Sequence, residues 1–250
     1  MRLNDEVRKI SGLFMIMLVV GMILVTPALA CPPNVQTEQD SSNTLTDCPA
    51  CSLSSEYANY SDAKVETIEL SEKEQKKATA EALSDESVSK LRDELIKLGY
   101  VSSIEEIYTM KSTTTTENET VTTTIVTMPF NGTNNDSAVI VFASNELGNA
   151  AMAGVANNGE LTVLQYDSVT DQVQITGLSC DFCMWAVGEI CDLISAYGCK
   201  QVCTIIATRI PHPAWIAFTG VTCWALCSFI VSYKACNWAT SEVCEGAGLC

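Results

Sequence analysis

Three hydrophobic patterns follow one another along the chain, and each predicts a different unit. An unbroken apolar run extends from Leu13 to Val25. Residues 32–62 then consist largely of Ser, Thr, Asn, Asp and Pro, and too little apolar surface is present to drive folding. This stretch reads as a disordered linker covering 31–64. From Ser71 the spacing becomes helical. Ser71-Glu72-Lys73-Glu74 is a capping box that opens a helix through Ala78, Ala80 and Ala82. Ser84 or Asp85 restarts a second helix, in which Val88, Leu91, Leu95 and Leu98 recur at steps of three and four. Gly99 stops it as a left-handed cap.

After Tyr100 the period shortens. Glu106–Met110, Thr120–Met128, Ala138–Ala143, Ala150–Val155 and Leu161–Tyr166 are β-branched or alternating, with Asn- and Gly-rich breaks between them. Asn158-Gly159 is a strong hairpin signal. The expectation is a small α+β unit over 65–170, two helices followed by an antiparallel sheet.

The third pattern begins near residue 180. Here apolar residues occupy more than one helical face, as in Trp215-Ile216-Ala217-Phe218 and Ser228-Phe229-Ile230-Val231. A helix of that kind is buried or in lipid. All four tryptophans lie in this region, and so do ten of the thirteen cysteines: Cys180, Cys183, Cys191, Cys199, Cys203, Cys223, Cys227, Cys236, Cys244 and Cys250. An even count in a short block reads as a disulfide framework. Cys180/Cys183, Cys199/Cys203 and Cys223/Cys227 are three or four residues apart, which puts each pair on one helical face. Their Cβ atoms would then stand about 5–6 Å apart, too far for a bridge that wants about 3.5–4.5 Å. Each sulfur should therefore reach across to another helix. Gly198 and Pro211-His212-Pro213 mark breaks, so the expected helices are 181–197, 199–209, 214–234 and 235–246. The result is an all-α, disulfide-stapled domain over 171–250. Ten cysteines allow about 945 pairings, and spacing does not choose among them. The uncharged stretch Ala214–Tyr233 also has the length of a membrane span. It reads as a stapled core helix, a permanent span, or a helix that moves from core to lipid on contact.

The N-terminus reads as a targeting segment. Arg2, Arg8 and Lys9 precede the apolar run, and Ala28-Leu29-Ala30 matches a signal-peptidase site with Cys31 as the first mature residue. Cleavage there makes 1–30 a signal peptide; a retained anchor and lipidation of Cys31 are the alternatives. Export would place the cysteines in an oxidising compartment. Cys48 and Cys51 form a CxxC within the linker, without the strand–turn–helix context of a redox site, and are expected to form a local disulfide. Asn59, Asn118, Asn131 and Asn135 each begin an Asn-x-Ser/Thr triplet and are candidate glycan acceptors.

Charge separates the halves. The chain carries a formal charge of −16. Residues 31–170 hold 8 basic against 22 acidic side chains, residues 171–250 only 3 against 6. This acidity argues against nucleic acid as a partner, because phosphate contacts need clustered Lys and Arg. The near-neutral C-terminal part would meet a membrane through apolar area. No nucleophile–base pairing and no glycine-rich phosphate loop is present, so no catalytic residues and no cofactor are assigned. His212, the sole histidine, sits in a turn. The paired CxxC spacing of a zinc ribbon is absent, and no metal site is assigned.

Asp171-Gln172-Val173-Gln174-Ile175-Thr176-Gly177, Cys180-Asp181-Phe182-Cys183 and the ending Ala247-Gly248-Leu249-Cys250 resemble the cysteine-rich microhalocins of archaea, the halocin C-eight type. The likeness covers about 80 residues. It implies a ten-cysteine peptide cut from the C-terminus of an exported precursor. It also implies damage to the envelope of related cells, with the rest of the precursor as carrier or immunity protein. Leu70-Ser71, Lys73-Glu74 and Lys97-Leu98-Gly99-Tyr100 are similar to leader regions of other cysteine-rich antimicrobial peptides.

The expectation is thus a secreted, non-enzymatic precursor. Signal peptidase acts at Ala30, and a processing protease cuts within Ser168, Val169, Thr170 and Asp171. The partners are the target-cell membrane and the chain's own 31–170 portion. An uncleaved, anchored surface protein and a thiol–disulfide redox protein are the rival readings.

Overall fold

A computed structural model describes residues 63–247, apart from 104–105, 118, 134–135, 158–159 and 178–179. Ala28, Ala30, Cys31, Cys48, Cys51, Asn59, Asn118, Asn135 and Cys250 lie outside the described residues.

The chain enters through strand β1, Lys64–Glu69. Helix α1, Glu72–Ser84, starts at the capping box: the Glu74 carboxylate accepts from the Ser71 backbone N–H at 3.1 Å and from its hydroxyl. Those bonds hold the Glu74 carboxyl below its ordinary range. Asp85 caps α2, Glu86–Lys97, by accepting from Val88 N at 3.2 Å. Val88, Leu91 and Leu95 are completely buried, while Leu98 lies past the helix end and is 55% exposed. Gly99 takes φ +91°, as a left-handed cap requires.

The strands that follow are β2 (Val101–Ser102), β3 (Tyr108–Thr115), β4 (Thr120–Asn131), β5 (Ser137–Asn145), β6 (Gly148–Asn157), β7 (Glu160–Asp167) and β8 (Gln172–Thr176). They form one antiparallel sheet in the order β1-β3-β4-β5-β6-β7-β8, with β2 also paired to β4. Asn157 pairs with Glu160 at the tight β6–β7 hairpin.

Both faces of the sheet are covered, which explains why Ala138–Ala143 is apolar at every position rather than at alternate ones. Val126, Met128, Phe130, Ile140 and Phe142 point to α1 and α2. Ile125, Val139, Val141, Met152 and Val163 point the other way, into a core shared with the cysteine-rich helices. Those helices are α3 (Cys180–Leu193), α4 (Cys199–Thr208), α5 (Pro213–Tyr233) and α6 (Thr240–Gly246), with a 3-10 turn at Ala235–Asn237. Helices α4 and α5 lie on the sheet, and α3 and α6 pack beside them.

The sequence reading and the structure differ at the sheet edges. Lys64 opens an edge strand rather than closing a linker. Residues 172–176 form the other edge strand, so the cysteine-rich block begins in the sheet and turns helical only at Cys180.

Candidate functional site: the stapled helical layer and its junction with the sheet

Among the described residues, four bridges staple the helices. Cys183–Cys244 joins α3 to α6, and Cys191–Cys236 joins α3 to the 3-10 turn. Cys199–Cys227 and Cys203–Cys223 join α4 to α5. Cα–Cα distances run from 5.4 to 6.0 Å, within the usual disulfide range. Every one reaches across to another element, as the three- and four-residue spacings require. Cys180 is disulfide-bonded as well. The four bridges are fully nested, each loop enclosed by the next, so they form the rungs of a ladder up a folded-back chain. None of them ties the helices to the sheet. Such bridges suit an oxidising, extracytoplasmic setting.

Contact with the sheet is close and non-covalent. A Cβ on Gly220 of α5 would stand 3.0 Å from a methyl of Val141 in β5. A Cβ on Gly154 of β6 would stand 3.1 Å from the Cβ of Val221 in α5. Each layer thus offers a glycine to the other's valine. These two glycines escaped the sequence reading, although a glycine inside an apolar strand is a known sign of close backbone approach.

Beside this apolar lock, α4 makes polar contacts. The Ser112 hydroxyl in β3 donates to Thr208 Oγ1 at 2.9 Å, and Thr114 donates to the Thr208 carbonyl. The Asn145 amide donates to the Pro211 carbonyl at 2.8 Å. The Lys200 ammonium lies 4.6 Å from the centre of the Tyr108 ring, and burial raises the Tyr108 phenol.

Two thirds of the most apolar stretch of α5 is buried within the fold, although the helix meets the length and apolarity of a membrane span. Within the helical layer, Phe182 packs edge-on against Trp215 and also meets Trp185 and Phe218. Arg209 and Glu189 pair at 2.7 Å. Phe229, Tyr233 and Trp238 form a second aromatic group, of which Tyr233 and Trp238 are exposed. His212 is an exposed residue at the start of α5.

Ser168, Val169, Thr170 and Asp171 form the turn between β7 and β8. Val169 is 87% exposed. Asp167 organises the turn by accepting from Val169 N at 2.9 Å and Thr170 Oγ1 at 2.8 Å, which lowers its own pKa. Asp171 has φ +52°. Its carboxylate pairs with Lys90 of α2 and accepts from the Tyr166 hydroxyl at 2.9 Å; Glu86 lies 3.3 Å from the same hydroxyl. The Lys90 and Tyr166 bonds lower the Asp171 carboxyl. Reciprocally the Lys90 ammonium is raised, and the Tyr166 phenol is pushed up to about 12, chiefly by Asp171. The turn is exposed, yet held to α2.

Asn131 ends β4 at the surface, its amide donating to Ser103 Oγ at 2.6 Å. Among the described residues no group of three or more His, Cys, Asp or Glu is placed to hold a metal ion. Comparison of the chain with protein-family models, with curated proteins and with solved structures finds no match.

Proposed function

We propose that the chain is an exported precursor whose 171–250 segment is released as a disulfide-stapled, membrane-perturbing antimicrobial peptide. Residues 31–170 are its carrier or immunity region. One observation carries this reading: the described bridges all lie within the helical part, and among the described residues its attachment to the sheet is non-covalent apart from one exposed turn. A cut in Ser168–Asp171 separates two pieces that no described disulfide rejoins. The likeness to the microhalocins supports the same reading.

The cut alone does not free the peptide. Five residue pairs still hold β8 to β7, and the helices still share a core with the sheet. A lipid surface supplies what the sheet supplied, an apolar partner for α5. The bridges keep the helices together during that exchange, because each restricts the unfolded chain by about 2–4 kcal/mol. The mechanism is binding and insertion, with no catalytic residue and no cofactor.

The test is the intact mass of secreted material with and without reduction. A fragment of about 80 residues that gains ~10 daltons on reduction has all ten sulfurs paired. That fragment should empty anionic phospholipid vesicles, and added 31–170 fragment should suppress the leakage. The shared core favours a second reading, an uncleaved cell-surface protein. A full-length species confined to the membrane fraction would establish it and remove the first.

A further inference from the structure

Helix α5 by itself does not select its partners in the ladder. Apolar residues are spread evenly around α5, so the helix has no preferred face of its own. Nothing in its sequence decides which side meets α4. Cys199 and Cys203 stand one turn apart, and so do Cys223 and Cys227. A one-turn slip would bring Cys203 to Cys227 or Cys199 to Cys223, with chemistry identical to the native rungs.

The sheet removes that ambiguity. The Gly220–Val141 and Gly154–Val221 contacts fix both the rotation and the axial position of α5. The bonds from Ser112 and Thr114 to Thr208 fix α4, and the bond from Asn145 to Pro211 fixes the bend between the two helices. With both helices seated, Cys203 faces Cys223 and Cys199 faces Cys227. The inner rung closes the shortest loop, a separation of 20 residues against 28, 45 and 61 for the others, and short loops lose least entropy on closing.

We infer that the β-sheet is the folding template for disulfide pairing in the helical layer. It registers α4 and α5, so that Cys203–Cys223 forms first and the ladder closes outward from the sheet. This function stands whether or not the helical part is ever released. Each closure needs a disulfide oxidant. Two protein thiols give up two protons and two electrons to form the S–S bond, and the oxidant's own S–S bond breaks to yield two thiols.

The experiment reduces and denatures the full chain, then returns it to native buffer with oxidised and reduced glutathione. Samples are quenched by alkylation and their bridges mapped by peptide mass spectrometry. The original chain regains the four rungs, and Cys203–Cys223 dominates the earliest quenched samples. Gly154→Val places a side chain against Val221 and shifts material to slipped pairings among Cys199, Cys203, Cys223 and Cys227. Overpacking there should lower the native map about tenfold, about 1.4 kcal/mol. Adding Val221→Gly to Gly154→Val swaps knob and hole and brings the native map back, which separates lost register from general misfolding. A wild-type map from Gly154→Val alone would overturn the inference. So would a double variant that stays mispaired, or an outer rung that forms first.

Discussion

Nesting makes the stability of the ladder calculable rung by rung. Taken alone, Cys183–Cys244 closes 61 residues, worth about 4.3 kcal/mol in the chain-entropy description. The chain inside it is already closed by Cys191–Cys236, with a separation of 45. Only the 16 residues between the two rungs remain to be restricted, which lowers the contribution to about 3 kcal/mol. Removing the outermost of the described rungs as Cys183→Ala/Cys244→Ala should therefore cost about 3 kcal/mol. The next rung inward then spans 17 residues beyond the Cys199–Cys227 loop of 28, and its additional removal should bring the total to about 6, against about 8 for independent loops. The assay is guanidinium unfolding of the oxidised full chain, with stability taken from midpoint and slope. A single-rung loss below about 1 kcal/mol, or a double loss as large as about 8, would refute the nested treatment.

Four further outcomes test the junction and the opposite core. Lys90→Ala should leave the thermal midpoint unchanged, because the pair with Asp171 is exposed; it should speed proteolysis within 168–171, read by limited digestion and mass spectrometry. Asp171 has a lowered carboxyl pKa, so its contribution is present above the unfolded value near 3.8 and is lost as pH falls through the lower folded one; digestion of the turn by an acid protease should accelerate across that window, and the step should shrink in Asp171→Asn to what Asp167, lowered in the same turn, still contributes. The phenol of Tyr166 is raised, so its contribution is complete below the unfolded value near 10 and is lost as pH rises through about 12; tyrosinate absorbance should show that late titration, Tyr166→Phe should remove it, and Asp171→Asn should move it down. Leu91 is completely buried against the sheet's other face, and Leu91→Ala should cost about 2–5 kcal/mol in denaturant unfolding without altering the disulfide map.

Local physics made much of this molecule legible. Ser71 and Glu74 announce a helix start because their spacing satisfies two orphan amides at once. Val88, Leu91 and Leu95 announce a buried face because their period is helical, and the helix ends before Leu98 can join them. The central strands follow from their β-branched runs. The bridges between helices follow from cysteine pairs too widely set on one helix to meet each other. The edge strands β1 and β8 were not legible: Lys64–Glu69 and Gln172–Thr176 bury no side chain fully, and only pairing with β3 and β7 makes them strands. The residues chosen at the helix–sheet contact, Gly154, Gly220, Ser112 and Thr208, lie far apart in sequence and acquire a role only when two layers close on them. Which of the many pairings the cysteines adopt belongs to the same class. Sequence determined that the sulfurs must cross between helices, since that is a matter of reach along one helix. The sheet decided which sulfur meets which, since α5 is apolar on every side and only a surface outside it distinguishes one rotation from another.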